Sequence, residues 1–170
     1  MTPQVLRLSI KPETPGEFGL PKRAVTQLLI TPAGAEGDYN RYRAETLGGD
    51  GDQALLLMTQ DLLDTLGGEG WPVAPGDLGE NLTLGGIPES SLSPGVRLRL
   101  GDAEIEITKA CDPCTETYAL PYIGPERGPG FVRALVGRRG WFARVLTGGL
   151  LHTRMPVDIV REGGVIPDAR

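Results

Sequence analysis

Histidine, lysine and cysteine are nearly missing from this chain of 170 residues. His152 stands alone, so no Ser-His-Asp grouping can be argued and no role is assigned to it. Zinc needs four ligands, and one chain runs short even when both cysteines are counted with His152. The lysines are Lys11, Lys22 and Lys109, against 14 arginines. Arginine carries a planar fork of donors suited to phosphate or carboxylate, although GC-rich coding or thermal adaptation gives the same skew. Cys111 and Cys114, three apart, do not make a disulfide framework. No apolar run approaches the ~18 residues that span a bilayer. The opening MTPQVLRLSIKPETPGE has no basic region followed by a long apolar stretch, so no signal peptide is expected and the chain reads as cytoplasmic. A net charge of −5 argues against a general nucleic-acid binder. Neither a repeat nor a linker interrupts the sequence, and its length suits one domain over 1–170.

Glycine and proline are plentiful instead: 25 and 15 residues, without a Gly-X-Y period, which favours many short strands over long helices. Val5–Ile10 alternates as a strand, residues 11–22 hold five Gly or Pro and read as a loop, and Ala24–Ile30 is a second strand. Thr31–Gly51 is a long polar stretch, of the kind that is usually functional or mobile. Gln53–Met58 is a buried strand, followed by a short helix with Thr59 as cap and Leu62, Leu63 and Leu66 on one face. The clearest signal is VRLRL-GD-AEIEI over Val96–Ile107, two alternating runs around a Gly101-Asp102 turn. Its register puts Leu98 opposite Ile105 on one face, and Arg97 opposite Glu106 and Arg99 opposite Glu104 on the other. Pro125–Gly130 reads as a loop, Phe131–Val136 as a helical turn, and Trp141–Leu146 and Met155–Val160 as strands. The expected fold is mainly β with a few short helices, a closed or nearly closed β-barrel.

Three groups of residues carry candidate chemistry. The hairpin's second strand runs straight into Cys111-Asp112-Pro113-Cys114, which presents thiols at a strand end, with Lys109 as a local charge to favour thiolate. Packing, a dithiol, zinc, and one Cys that carries sulfur or binds a soft metal all compete for this pair. A thioredoxin-like role wants a helix opening at the pair, and TETYALP is a poor helix start. Gly76-Asp77-Leu78-Gly79-Glu80-Asn81 lets a backbone approach a ligand that Glu80 and Asn81 could bond, or it is only a turn before a strand. Lys22, Arg41 and Arg43, and Arg138, Arg139 and Arg144 either gather around one anion or are scattered solvated charge.

Residues 48–58 (GGDGDQALLLM), 76–87 (GDLGENLTLGGI), 95–114 (GVRLRLGDAEIEITKACDPC) and 137–149 (GRRGWFARVLTGG), in that order, resemble the MOSC domain, named for the C-terminal region of molybdenum-cofactor sulfurase. The resemblance is strongest over 20–150 and fits the small stand-alone bacterial members. It implies the MOSC β-barrel and the molybdenum cofactor, a phosphate-bearing pterin (molybdopterin) with a dithiolene-bound metal. It implies that Cys114, from its Pro-Cys motif, ligates molybdenum or accepts sulfur as a persulfide, with Cys111 as an additional thiol that resolves a persulfide or disulfide, or merely packs. Lys22, Arg43, Gly79, Glu80, Asn81, Arg138, Arg139 and Arg144 are the residues expected to hold the cofactor. The sequence departs from the family at Lys109-Ala110-Cys111, where Pro-Arg-x-Pro-Cys is usual, and at Leu47, where a His often precedes Gly-Gly. The expected activity is two-electron reduction of small N-hydroxylated substrates, as a molybdenum-dependent oxidoreductase fed by an external reductase. The alternatives are a sulfurtransferase or sulfur carrier fed by a sulfur donor protein, and a non-enzymatic module for a pterin or another anion. Pyridoxal phosphate is disfavoured, since no lysine has a recognisable Schiff-base context. Nucleic-acid and membrane partners are not expected.

Overall fold

The fold is seen in a computed structural model that describes residues 1–17, 19–39 and 48–160. Its strands are β1 (Gln4–Ile10), β2 (Arg23–Val25), β3 (Gln27–Thr31), β4 (Gly34–Ala35), β5 (Leu55–Thr59), β6 (Leu82–Gly85), β7 (Arg97–Leu100), β8 (Ala103–Ala110), β9 (Trp141–Thr147), β10 (Gly149–His152) and β11 (Asp158–Val160). Two α-helices lie among the described residues, α1 (Gln60–Gly68) and α2 (Gly124–Ala134). None of them is long and apolar enough to cross a membrane.

Eight strands form one sheet in the order β11-β7-β8-β9-β5-β6-β1-β2, and β10-β3-β4 form a second. All the pairings are antiparallel except β5 with β6. Parallel neighbours need a crossover, and α1 supplies it. The large sheet does not close as a continuous ladder. Its ends nevertheless approach, because the chain just before β11 bonds back to the start of β1. Val5 N–H donates to Met155 O (3.0 Å), Arg154 N–H to Val5 O (2.8 Å) and Val157 N–H to Pro3 O (3.1 Å). Inside sits the main core, with Val5, Leu57, Leu82, Leu98, Ile105 and Ala143 among its members. A second cluster packs α1 and α2 against β5 through Met58, Leu62, Leu66, Phe131 and Leu135.

The β7–β8 hairpin has the register expected from its two-residue turn: Arg97 opposite Glu106, Leu98 opposite Ile105, and Arg99 opposite Glu104. Leu98, Leu100, Ile105 and Ile107 are fully buried, and Arg97 Nε meets Glu106 at 3.0 Å on the other face. Thr59 caps α1, its hydroxyl accepting from Leu62 N–H at 3.2 Å. Leu62, Leu63 and Leu66 form the buried face.

Three expectations change. Ala24–Ile30 is not one strand but β2 and β3, because its halves pair with different partners, β1 and β10. Met155–Val160 divides likewise into the stretch that meets β1 and the strand β11 that pairs with β7. Pro125–Gly130 is not a loop but the first turns of α2. Pro125 fits there because a helix's first residues have no intrahelical acceptor for their N–H. Gly128 fits because a Cβ there would fall 2.4 Å from the Tyr118 ring. Packing of Phe131 and Ile123 overrides the poor propensity of GPERGPG. Arg41 and Arg43, from the long polar stretch, lie outside the described residues.

The turn into β9 separates two kinds of glycine. Gly137 has φ +72° with open space where a Cβ would sit, whereas Gly140 has φ +93° and its Cβ would lie 2.5 Å from Leu57 O. Gly137→Ala is expected to cost about 1–2 kcal/mol of stability, the backbone term alone. Gly140→Ala should cost at least about 1–3 kcal/mol more, because the β5 backbone must move. Urea midpoints of the two variants check this.

Candidate functional site

Four chain segments end at one rim of the barrel and enclose a cavity of about 520 Å³. β1 runs out into Lys11 and the following loop, which returns through Gly19 and Leu20 to Lys22. β8 delivers Lys109 and Ala110 and then Cys111-Asp112-Pro113-Cys114. The turn before β9 brings Arg139, and the loop before β6 brings Leu78 and Gly79. Leu20, Leu56, Leu78 and Phe142 give the wall an apolar part. The volume suits a small molecule of cofactor size.

The two cysteines are unlike. Both are free thiols. Cys111 is buried, its N–H donates to Gly140 O at 2.9 Å, and burial pushes its thiol above the usual range, with the Arg139 charge pulling the other way. Cys114 is exposed at the mouth, where its carbonyl accepts from the Thr117 hydroxyl at 2.9 Å and caps a single 3₁₀ turn, Thr115–Ala119.

Arg139 is the unusual basic residue. It is 5% exposed, and neither its Nε nor its Nη1 makes a hydrogen bond among the described residues. Glu80 lies close enough to feel its charge, but Glu80 does not neutralise it well. The Glu80 carboxyl is completely buried, and burial raises its pKa above the ordinary carboxylate range. Bonds from Gly76 N–H (2.7 Å) and the Thr83 hydroxyl (3.1 Å) to Oε1 only offset part of this, and Oε2 makes no bond among the described residues. A guanidinium buried without an acceptor is costly unless an anion meets it.

The lysines are already engaged. Lys22 Nζ pairs with Asp38 Oδ2 at 2.6 Å, both side chains being buried, and Lys11 pairs with Glu17. Lys109 Nζ stands 5.9 Å from the centre of the Phe142 ring. Asn81 does not line the cavity. Its Oδ1 accepts from Leu56 N–H at 3.1 Å, and its Nδ2 donates to Ser9 O and to Asp38 Oδ2 at 3.2 and 2.9 Å.

Of the residues singled out from the sequence, the fold brings Cys111, Cys114, Lys22, Gly79 and Arg139 to the cavity wall and sets Glu80 and Asn81 behind it. Gly79 is glycine for the chain's own sake, since a Cβ there would sit 2.5 Å from the Leu20 side chain. Arg138 points elsewhere, forked onto Glu69 at 2.6 and 2.7 Å with Nε on Ala134 O, which closes the end of α2. Arg144 lies on the face of β9 between Asp52 and Glu106, each at 3.5 Å. Arg43 is outside the described residues. Lys11, Gln53, Tyr39 and Phe142 also line the cavity, and sequence reasoning passed over them. Lys11 alone left a signal, as one of three lysines placed directly after an alternating strand.

A family model described as the MOSC domain matches residues 43–165. The YuaD protein of Bacillus subtilis has a similar fold, with a TM-score of 0.71 at 19% identity over 92% of this chain and 94% of that one. YiiM from Escherichia coli gives 0.65 at 23% identity over 95% and 71% of the two chains. YiiM from Geobacillus stearothermophilus gives 0.70 at 21% over 95% and 76%. No curated protein matches the chain. At these identities the likeness in shape carries the fold alone, whereas the family model spans most of the sequence, from the strand before α1 to the last strand of the sheet. By that match, the chain belongs to the MOSC domain family.

Proposed function

We propose that the cavity holds the molybdenum cofactor and that the protein uses it to reduce small N-hydroxylated compounds, with electrons from an external reductase. The observation that carries this reading is Arg139, a buried guanidinium with unused donors, in the same wall as two thiols. The pairing of donors fits the group: an arginine fork suits a phosphate, and a thiolate suits a soft metal. Among the described residues no three His, Cys, Asp or Glu side chains gather into a metal site, so a metal reached by Cys114 must bring other ligands with it, as a dithiolene-bound metal does.

In this reading Arg139 binds the phosphate and Cys114 is the protein ligand to molybdenum. Gly79 and Lys22 shape the wall between, and Asn81 positions that wall without touching the ligand. Bound there, the cofactor supplies two-electron exchange at the metal. Burial disfavours the charged form of Glu80, which weakens it as a countercharge to Arg139. Phe142, Leu56 and Leu78 exclude water from part of the cavity. The exposure of Cys114 also favours a second reading, a sulfur carrier with a persulfide on Cys114. A pterin- or anion-binding module without catalysis needs only Arg139.

Expression in a host that makes the cofactor should yield molybdenum bound to the wild-type chain and a large loss in Cys114→Ala. Metal-free protein that instead takes up sulfur on Cys114 from a cysteine desulfurase would select the sulfur-carrier reading. Equal metal in wild type and Cys114→Ala would remove the ligand role. The two adjacent arginines separate cleanly. Arg139→Ala should weaken phosphate or pterin binding about 10–100-fold, the loss of one charge-assisted contact. Arg138→Ala should leave binding unchanged, as calorimetry would show.

The raised pKa of Glu80 has a defined pH signature. Its stabilising contribution is complete below the unfolded carboxylate pKa and is lost as pH rises through the folded one. Glu80→Gln retains an oxygen for Gly76 and Thr83 but cannot ionise. Its urea midpoint should therefore gain on wild type as pH rises above about 4, where the unfolded carboxylate ionises.

A further inference from the structure

Arg139 and the thiols account for one end of the cavity and leave the other end unread. We infer that Gln53 determines specificity at that far end, its side-chain amide hydrogen-bonding the pyrimidinone edge of a pterin laid along the cavity wall. The inference rests on the function proposed above and assigns the part of the cofactor given neither to Arg139 nor to Cys114. Gln53 ends a single 3₁₀ turn, Gly51–Gln53, just ahead of β5. Its backbone is placed locally. Its N–H donates to Asp50 O at 3.2 Å, and the Asp50 carboxylate accepts from Asp52 N–H at 2.9 Å. Its side chain is only 5% exposed, yet the amide has no hydrogen-bond partner among the described residues. Glutamine is seldom buried, because an amide without partners is costly. The buried side-chain atoms that are both sealed off and unpartnered belong to Glu80, Arg139 and Arg144. The Gln53 amide is therefore not sealed, and the space that Gln53 lines is the cavity. The wall's two buried lysines are already engaged, Lys11 by Glu17 and Thr14 and Lys22 by Asp38.

Strand register sets Gln53 apart from Arg139. Leu55 pairs with Ala143, Leu56 with Phe142 and Leu57 with Trp141. Gln53 precedes Leu55 at one end of this stretch, and Arg139 precedes Trp141 at the other. The middle pair, Leu56 and Phe142, lines the cavity between them. Directly opposed residues of an antiparallel pair share one face of the sheet, so these two side chains form one apolar strip. The wall thus offers an amide, a flat apolar surface and a guanidinium, in that order. An amide donates through its NH₂ and accepts through its oxygen, side by side, and so matches an edge that sets an acceptor beside a donor. The pyrimidinone of a pterin has that edge in its 4-oxo group and N3–H. In molybdopterin it lies at the opposite end of the fused rings from the phosphate.

The test uses the full chain from a host that makes no cofactor, titrated by calorimetry with two probes. One is pterin itself, 2-amino-4-oxopteridine, which carries neither phosphate nor metal. The other is quinoxaline, which keeps the pyrazine ring and replaces the pyrimidinone with benzene. Wild type should bind pterin at least about tenfold more tightly than quinoxaline, the worth of a hydrogen-bonded edge. Gln53→Leu should lose about tenfold in pterin affinity and keep its quinoxaline affinity, which a disturbed fold would not do. Gln53→Glu keeps the size of the side chain but lacks the NH₂ donor, and it should lose pterin in the same way; it serves if the leucine variant does not fold. Arg139→Ala should leave pterin binding unchanged, since this probe has no anion. Wild type that does not prefer pterin to quinoxaline, or variants that keep the preference, overturn the assignment. None of these readouts involves molybdenum. A chain whose pterin preference depends on Gln53 but that takes up no metal keeps this inference and loses the metal reading. A chain that takes up molybdenum but has no such preference does the reverse.

Discussion

The cavity depends on how Asn81 spends its hydrogen bonds. Its backbone N–H donates to Leu56 O at 2.8 Å and its carbonyl accepts from Ser9 N–H at 2.9 Å. Its side chain repeats the pattern, accepting from Leu56 N–H and donating to Ser9 O and Asp38. One residue therefore ties β1, β5 and the entry to β6 together at the barrel rim and places a carboxylate there. Asp38 then accepts from Lys11 N–H at 2.8 Å and pairs with Lys22, which holds the loop that forms one side of the opening. Every partner in this set is buried or partly so, where a lost bond leaves its mate unsatisfied at a cost of about 1–3 kcal/mol.

Against that fully bonded frame, Arg139 and Glu80 stand out as unfinished. Most buried polar atoms in folded proteins find partners, and departures call for an explanation. Arg139 lines the cavity and Glu80, behind the wall, is near enough to feel its charge, whereas a third such atom, Arg144 Nε, lies on the β9 face beside Asp52 and Glu106. Glu80 can lower its cost by staying protonated, but a guanidinium has no neutral form to fall back on. The barrel thus carries a fixed positive charge whose natural complement is an anion from outside the chain, even though the protein as a whole is acidic.

What could be read in the sequence was whatever is decided locally. The β7–β8 hairpin follows from a two-residue turn and strict alternation, and the α1 cap from one Thr before an apolar face. The meeting of Cys111 and Cys114 with Arg139 follows from β8 and β9 being neighbours, and the GENLT block and the Pro-Cys motif pointed to it through family likeness. What escaped is non-local. α2 begins across two prolines and three glycines because Tyr118 and Phe131 need it to, and nothing in GPERGPG announces that contact. Arg138 and Arg139 are the same residue type side by side, yet one caps a helix against Glu69 and the other is buried. Asn81 was legible as important but not as structural, because its partners lie 25, 43 and 72 positions away.

The bond from Cys111 N–H to Gly140 O joins the end of β8 to the turn that carries Arg139. The loop that holds the thiols and the turn that holds Arg139 are therefore tied to each other where two adjacent strands of one sheet meet them. A ligand that touches both ends of the wall meets a ruler rather than a hinge. The separation of the two ends is set by that hydrogen-bonded junction, a dimension that changes no more easily than the barrel itself.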